Sequence, residues 1–314
     1  MYTPNPFTTY VLSQNSGKRL DMVLASSLSN CSRSFLAGLI RSGNILVNGK
    51  ISKPGCRVVA GDKIDVFIPD FKGLSLVPEK KDLDILYEDD YLLVVNKPAG
   101  LVVHPAPGHY SGTLVNRLLF YYPEIISTGD KLRPGIVHRL DKDTSGSIIV
   151  AKKKSAYFSL SNQFKNRAIQ KKYLAIVYGE IKEESGIISF PIGRHIKDRK
   201  KMSISSKKSR VAETHWQINE RLRDATLIDI DLKTGRTHQI RVHCSAIGHP
   251  VIGDKVYGGK KMQKKIKTHL GHISRQMLHS FCIGFFHPLT EKFLLIESPI
   301  PEDMHNIITG LRQV

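Results

Sequence analysis

The sequence predicts an α+β protein, with a small helix–hairpin domain in front of a larger domain built on a mixed, mainly antiparallel sheet. Short β-like runs alternate with a few helices from residue 83 onward, which is typical of a sheet with helices on its faces. No βαβ rhythm persists and no glycine-rich phosphate loop occurs, so a Rossmann or P-loop fold is disfavoured. Residues 17–70 carry a compact pattern of their own. We therefore expect domains at residues 17–80 and 84–314.

The small domain is expected to contain two helices followed by a hairpin. Apolar residues at helical spacing predict a first helix over residues 20–28, and Ser32 is suited to cap a second one. Gly43 can end that second helix in the left-handed conformation that glycine adopts freely. Asn48-Gly49 is a strong signal for a two-residue hairpin turn, and residues 63–68 alternate as a strand does.

Basic side chains are concentrated on the helix–turn–strand edge of this domain: Arg33, Arg41, Lys50, Lys53 and Arg57. Three short motifs resemble those of the S4 RNA-binding domain: Arg19-Leu20-Asp21, Ser32-Arg33-Ser34 and Val47-Asn48-Gly49-Lys50. The resemblance implies that Arg33, Arg41 and Lys50 contact RNA.

The larger domain is predicted to begin with a hairpin and to continue as strands separated by helices. Each segment is a short run of β-branched and aromatic residues or an apolar pattern of helical period. The predicted strands are residues 84–87, 91–96, 147–151, 172–178 and 225–232, and the predicted helices are residues 116–122 and 154–164.

The charge balance points to polyanionic partners. The chain has 47 basic and 28 acidic residues, a net charge of +19, and such a field attracts phosphates and displaces their counterions. Residues 194–210 and 255–267 supply 13 of these 19 charges. Both segments lack apolar periodicity, so we expect mobile loops or a hairpin tip that contact phosphates. No strongly amphipathic basic helix stands out, which makes an anionic membrane surface a weaker alternative.

Cysteine usage and the N-terminal residues predict a cytoplasmic protein without a membrane partner. The four cysteines, Cys31, Cys56, Cys244 and Cys282, are widely separated, which predicts neither a disulfide framework nor a zinc site. Residues 1–14 lack a basic leader with a continuous apolar core. No run approaches the roughly 20 apolar residues of a membrane span.

The stretch from His138 to Gly146 places a carboxylate, Asp141, in a tight turn just before a buried strand. A carboxylate in this position can be a nucleophile, a general base, a metal ligand or a structural ion-pair partner. The residues of the turn alone leave all four uses open, because structural ion pairs are common.

A second polar segment, residues 232–243, predicts a partner for this carboxylate. Thr237 can cap a helix that continues to residue 247 before Gly248 ends it. On such a helix His238, Arg241 and Ser245 share one face. An arginine there could pair with Asp141 and hold it ionised and oriented.

Two other kinds of site are disfavoured. His238 and His243 are five residues apart and lie on different faces of the predicted helix, so they cannot chelate a metal together. Asp141 and Asp143 suggest a glycosidase-like pair, but the neighbouring cations argue against a neutral sugar substrate. No metal is therefore expected.

Taken together, these segments resemble the RluA family of pseudouridine synthases, and the S4-like domain in front is typical of its RluD-type branch, which modifies large-subunit ribosomal RNA. The resemblance extends over nearly the whole chain. The matching segments are residues 138–146, 172–175, 234–243, 253–258 and 277–280.

The resemblance implies roles for individual residues. Asp141 would be the nucleophile, Tyr173 would lie against the flipped uracil, and Arg241 would pair with Asp141. Arg139 would fill the gap left by the flipped base, with His138 and Leu278 also binding substrate. No cofactor is expected. The partner would be large-subunit ribosomal RNA or the assembling large subunit, bound by a monomer.

Three functions remain to be distinguished. An RNA pseudouridine synthase is favoured, and Asp141 would attack the sugar or the base or assist formation of a glycal; the sequence does not choose among these routes. An RNA-binding assembly factor would keep the fold and act by binding alone. A metal-dependent nuclease is disfavoured by the ligand spacing.

Overall fold

A computed structural model describes residues 7–28, 33–67, 76–106, 109–196, 198, 201–206, 208–259 and 273–312. The chain divides into two compact units, residues 1–75 and 76–314. Within the described ranges, no helix is both long enough and apolar enough to cross a membrane.

The first unit packs two helices on a four-stranded antiparallel sheet. Its core is formed by apolar residues of both helices and of the central strands, among them Leu20, Leu36, Ile40, Ile45 and Ile64. The strands are ordered β1-β4-β2-β3. The elements are β1 (Phe7–Tyr10), α1 (Leu20–Ser27), α2 (Arg33–Arg41), β2 (Ile45–Val47), β3 (Lys50–Ile51) and β4 (Lys63–Val66), with a short 3-10 turn at Ser13–Asn15.

The predicted turns of this unit are confirmed. Asn48 and Gly49 both have positive φ values, 51° and 73°, as a two-residue type I′ hairpin turn requires. Gly43 has a φ of 76° and follows α2, so it ends the helix as predicted. The predicted cap Ser32 lies outside the described residues. Strand β1 was not predicted, because four residues of mixed polarity carry too little periodic signal.

The second unit contains fourteen strands and four helices among its described residues. They are β5 (Ile85–Glu88), β6 (Leu92–Lys97), α3 (Leu114–Tyr121), β7 (Gly129–Asp130), β8 (Arg133–Pro134), β9 (Ser145–Ala151), α4 (Lys154–Lys165), β10 (Gln170–Tyr178), β11 (Ser185–Ile188), β12 (Ile192–Arg194), β13 (Met202–Ser203), β14 (Ser209–Arg210), β15 (Thr214–Leu222), β16 (Ala225–Leu232), α5 (Gln239–Ala246), β17 (Leu278–Phe286), β18 (Phe293–Glu297) and α6 (Glu302–Arg312).

A nine-stranded sheet organises this unit in the order β11-β15-β16-β10-β17-β9-β6-β5, with β18 paired to β17. The described strand pairs of this sheet are antiparallel except β9 with β17, which run parallel. The predicted α+β fold with a mixed, mainly antiparallel sheet is therefore confirmed.

Alternate residues of the central strands face opposite sides of the sheet, as the two-residue period of a strand requires. On one side, residues such as Val150, Tyr173 and Ala175 form a core with α3 and α5. On the other side, neighbours such as Ile149 pack with α4, and Leu174 packs with α6. Tyr173 therefore lies on the α5 side of the sheet.

The start of α5 differs from the prediction. Thr237 does not cap it; the helix begins at Gln239, preceded by His238 in the left-handed conformation. The buried Gln239 side chain organises the turn instead, because its Oε1 accepts hydrogen bonds from the Thr234 hydroxyl and the Arg236 N–H, at 2.8 and 2.9 Å. Gly248, with a φ of 87°, ends the helix as expected.

The basic segment 194–210 contributes to a small three-stranded sheet in the order β13-β12-β14. Ile192 and Met202 pack this sheet against Val242 of α5. A hairpin was one of the two predicted forms. In the other basic segment, residues 260–267 lie outside the described ranges.

Candidate active site

The turn before β9, the middle of β10, the start of α5 and the start of β17 meet at a cavity of about 460 Å³. All six site residues predicted in the larger domain line this cavity: His138, Arg139, Asp141, Tyr173, Arg241 and Leu278. Residues that are up to 140 positions apart in the sequence are thus brought together.

Asp141 lies at the mouth of the cavity, with a fifth of its side chain exposed. Its Oδ2 accepts a hydrogen bond from Nη1 of Arg241 at 2.9 Å. The predicted pairing of these two residues is therefore present. The second side chain near this oxygen is His238, whose Nε2 lies 3.9 Å away.

Arg241 is held on its other side by Asp254, a carboxylate with no exposed surface. Nε and Nη2 of Arg241 donate to the two Asp254 oxygens at 2.6 and 3.0 Å. Burial opposes the charge of Arg241, but the hydrogen bonds and negative charges of Asp254 and Asp141 outweigh it and raise its pKa. The guanidinium is therefore a fixed positive charge beside Asp141.

Asp254 remains ionised although it is buried. Burial acts to raise its pKa, but Arg241 and the backbone N–H groups of Tyr257 and Val256 together lower the pKa below its ordinary value. These N–H groups donate to Oδ1 at 3.0 and 2.8 Å. The chain from residue 254 to 257 thus wraps around the carboxylate that orients Arg241.

Tyr173 lies on β10 where the register with β17 shifts between Lys172 and Leu174, an irregularity of the kind common beside active sites. Only 7% of the residue is exposed. Burial raises the pKa of Tyr173 to about 12; a hydrogen bond from Ser280 opposes this effect and the charge of Asp141 adds to it. At neutral pH the side chain is a protonated phenol that presents its ring to the cavity.

His138 anchors the turn that carries Asp141. Its Nε2 accepts a hydrogen bond from the backbone N–H of Ile149 at 2.8 Å, and its ring stacks on Phe164 at 4.6 Å. Burial lowers the pKa of His138 to about 3, so the ring is neutral. The neighbouring Arg139 is exposed at the rim, and Leu278 is buried in the cavity wall.

Lys97 and Arg275, which were not predicted from the sequence, also bond the backbone of the turn that carries Asp141. The buried Nζ of Lys97 donates to the carbonyl oxygens of Pro98, Leu101 and Lys142 at 2.8, 3.0 and 3.1 Å. Nη1 of Arg275 donates to the carbonyl of Asp143 at 3.3 Å. Burial lowers the pKa of Lys97 to about 7. These contacts fix the two residues of the backbone that directly follow Asp141.

Other cations surround the cavity: Lys165, Arg167, Lys171, Lys233 and Arg236. A ring of positive charge around a cavity of this kind suits a polyanion better than a neutral ligand. Among the described residues, no group of three carboxylate, histidine or cysteine side chains is placed to hold a metal ion.

In the first unit, the three predicted RNA contacts differ in their surroundings. Arg33 donates to Asp21 at 3.0 Å together with Arg19, and these contacts lower the pKa of Asp21 against the opposing effect of burial. Arg41 and Lys50 are exposed, at the end of α2 and the start of β3. Arg33 is thus held by a carboxylate, whereas Arg41 and Lys50 lie exposed on the surface of the unit.

Asp254, His238 and Tyr257 are further site residues whose roles the sequence did not predict. Asp254 and Tyr257 were noted only within a matching segment, and His238 only as a possible metal ligand and as a residue on the same helix face as Arg241. Their signal was weak because Asp254 lies thirteen residues beyond Arg241, in a loop with no periodic pattern.

Comparison with known proteins gives a consistent result. The family described as RNA pseudouridylate synthase matches residues 91–246, and the S4 domain matches residues 18–64. An RNA pseudouridine synthase of Bacillus subtilis is 43% identical over 300 residues, covering 96% of each chain. The ribosomal large subunit pseudouridine synthase D of Pseudomonas aeruginosa is 42% identical, covering 95% of this chain and 93% of that one. The solved structure of human RNA pseudouridylate synthase domain containing 1 superposes with a TM-score of 0.58 and 27% identity, covering 75% of this chain and 97% of the human one.

Proposed function

Because the chain belongs to the RNA pseudouridylate synthase family and is an enzyme that converts uridine to pseudouridine in RNA, we propose that it acts on large-subunit ribosomal RNA with Asp141 as its nucleophile. The substrate proposal is supported by two relatives that are named for that activity and are each 42% identical to this chain. The proposal for Asp141 is supported by its ion pair with Arg241 at the mouth of the cavity.

The isomerisation breaks the N1–C1′ bond of uridine, rotates the base and joins C5 to C1′; the C5 proton is lost and N1 takes up a proton. No atoms are gained or lost overall, so the reaction consumes no co-substrate. Asp141 attacks the sugar or the base, or assists formation of a glycal. On each route Arg241 orients the carboxylate, because its own position is fixed by two hydrogen bonds to Asp254.

We also propose that the target uridine is flipped out of its stack into the cavity. The volume of about 460 Å³ is in the range of small-molecule sites, and the buried ring of Tyr173 offers the uracil a surface for stacking. Stacking of a base on an aromatic ring is worth about 1–3 kcal/mol. Arg139, exposed at the rim, is placed to fill the gap that the base leaves.

Affinity for the RNA is proposed to come mainly from phosphate contacts. The cations around the cavity and the exposed Arg41 and Lys50 of the S4 unit are the groups that would make them.

Tritium release tests the substrate proposal, because joining C5 to C1′ expels the hydrogen from C5. Large-subunit ribosomal RNA labelled at C5 of uridine is incubated with the enzyme, and small-subunit ribosomal RNA with the same label is the control. We expect release from the large-subunit RNA alone. Equal release from both RNAs, or release from the small-subunit RNA only, would contradict the proposed substrate.

A further inference from the structure

Tyr257 joins three parts of the active-site region. Its backbone N–H donates to Asp254 at 3.0 Å, and its carbonyl accepts a hydrogen bond from Ser245 of α5 at 3.3 Å. Its ring lies 5.2 Å from the guanidinium carbon of Arg241, at the distance of a cation–π contact. Tyr257 is therefore held from several sides and has little freedom to move.

The hydroxyl of Tyr257 makes two hydrogen bonds, one to the backbone and one to a side chain. It accepts from the backbone N–H of Met202, at the start of β13, at 2.9 Å. Its second partner is Nδ1 of His238, also at 2.9 Å. Since an N–H already occupies one side of the oxygen, the hydroxyl proton is directed to His238, where Nδ1 accepts it.

The surroundings of Nε2, on the opposite side of the His238 ring, favour the same tautomer, in which Nε2 carries the proton and Nδ1 does not. Nε2 lies 3.9 Å from Oδ2 of Asp141, so a proton on Nε2 faces a carboxylate, whereas a lone pair there would be repelled by it. Burial and the charges of Arg241 and Arg139 lower the pKa of His238, against the opposing charges of Asp141 and Asp254. The ring is thus neutral, with Nδ1 as acceptor and Nε2 as donor.

We propose that His238 is a positioning residue for Asp141, held as the Nε2–H tautomer by the Tyr257 hydroxyl, and that the sheet β12–β14 supports this arrangement through Met202. This inference rests on the proposed role of Asp141 and deepens it. Arg241 supplies one hydrogen-bond donor to the Asp141 carboxylate, and Nε2–H of His238 is the second donor that faces it. The separation of 3.9 Å is closed by a small movement when RNA fills the cavity.

The backbone at residue 238 offers a matched pair of variants. His238 has a φ of 55°, a left-handed conformation that Asn adopts readily. His238→Asn keeps a polar group near the position of Nδ1 and loses the donor at Nε2. His238→Gln places its amide nitrogen near the position of Nε2 and so keeps a donor toward Asp141.

We expect His238→Asn to lower kcat by roughly ten- to hundredfold with little change in KM, the effect of one lost hydrogen bond to a charged group. His238→Gln should restore most of kcat, although Gln adopts the left-handed backbone conformation of residue 238 less readily than Asn does. Equal loss in the two variants, or a loss confined to KM, would overturn the proposal.

Tyr257→Phe tests whether the hydroxyl acts through His238. We expect a lower kcat in the wild-type background and no further loss in the His238→Asn background, because the two groups form one path to Asp141. Losses that multiply in the double variant would show that Tyr257 acts independently of His238 and would overturn the proposal.

Nitrogen NMR of the imidazole rings tests the tautomer without any measurement of activity. The His238 signals are those that disappear in His238→Asn. We expect Nδ1 to be unprotonated and Nε2 protonated at neutral pH in wild type, and a proton to appear on Nδ1 in Tyr257→Phe. A proton on Nδ1 in wild type would overturn the inference. Absence of pseudouridine formation by wild type would instead contradict the proposed function and leave the tautomer result standing.

Discussion

The charge of Arg241 is shared between a partly exposed carboxylate, Asp141, and a buried one, Asp254. The buried partner makes two hydrogen bonds to the guanidinium and the exposed partner makes one. This arrangement leaves one Asp141 oxygen free of Arg241 while the other accepts a single hydrogen bond from it. Asp141 is thus oriented by Arg241, which is itself fixed by Asp254.

The sequence was sufficient to predict the pair of Asp141 and Arg241 but not the third member. Asp141 stands in a distinctive turn and Arg241 on one face of a helix, so both have local signals. Asp254 acts through a contact that depends on how the loop after α5 folds back. Local patterns contain no information about such a contact.

Replacement of Asp254 tests this dependence. Asp254→Asn removes the buried negative charge and leaves Asp141 as the one carboxylate paired with Arg241. We therefore expect a loss of roughly 3 kcal/mol in the free energy of unfolding and a large fall in kcat. Urea unfolding followed by the fluorescence of Trp216, the single tryptophan, which lies in β15, reports on this unit. Asp130→Asn, in the exposed pair with Arg133, is the control and should change stability by less than about 0.5 kcal/mol.

The same variant has a predicted pH dependence. The pKa of Asp254 is lowered in the folded state, so its contribution to stability is present above the ordinary carboxyl pKa of about 4 and is lost as pH falls through the lower folded value. The stability difference between wild type and Asp254→Asn should therefore narrow below about pH 4. A difference that stays constant down to the acid transition would contradict this account of Asp254.

At the scale of elements, the parallel pairing of β9 and β17 supports the floor of the active site. The two strands pair only at Ser145 with His279 and at Gly146 with Ser280. Gly146 has a φ of 111°, and a Cβ atom there would lie 2.2 Å from the carbonyl oxygen of Ser280. Only glycine permits this close approach, which brings the Asp141 turn next to Tyr173.

Gly146→Ala should separate the two strands. We expect a loss of about 3 kcal/mol or more in the free energy of unfolding, because the substitution combines a backbone clash with an unfavourable φ. Trp216 fluorescence during urea unfolding measures it. Gly235→Ala is the control: no atom lies within 4 Å of its Cβ position, so its effect should stay within about 0.5 kcal/mol. Similar losses in the two variants would contradict the proposed packing.

Five of the fourteen described strands of the second unit and three of its four described α-helices were predicted, whereas the pairing of the strands was not. Strand β16 follows the predicted residues 225–232 because alternation and flanking turns define it. The pairing of β9 with β17 joins segments more than 130 residues apart, and no local pattern indicates which strands become neighbours. The start of α5 was predicted wrongly because Thr237 makes no capping hydrogen bond, and the side chain of Gln239 instead bonds the backbone of the turn before the helix.

At the scale of the whole molecule, the net charge of +19 favours RNA binding where its cations are exposed to the phosphates. Cations are exposed around the cavity and on one edge of the S4 unit, where they can meet phosphates. Their contribution to binding depends on counterion release and is independent of the base sequence. The polyanionic partner was therefore predictable from composition, whereas the proposed chemistry rests on a few residues of one cavity.

The central claim is that a single carboxylate, Asp141, carries out the isomerisation on RNA that the rest of the molecule binds. The most direct measurement is the single-turnover rate of pseudouridine formation by wild type, Asp141→Asn and the neighbouring control Asp143→Asn, together with RNA binding by each. We expect Asp141→Asn to lose on the order of 10⁴ or more in rate while binding stays unchanged or tightens slightly, because a charge that repels phosphates is removed. Asp143→Asn should keep most of the rate. An active Asp141→Asn, or one that loses binding in proportion to rate, would contradict the claim.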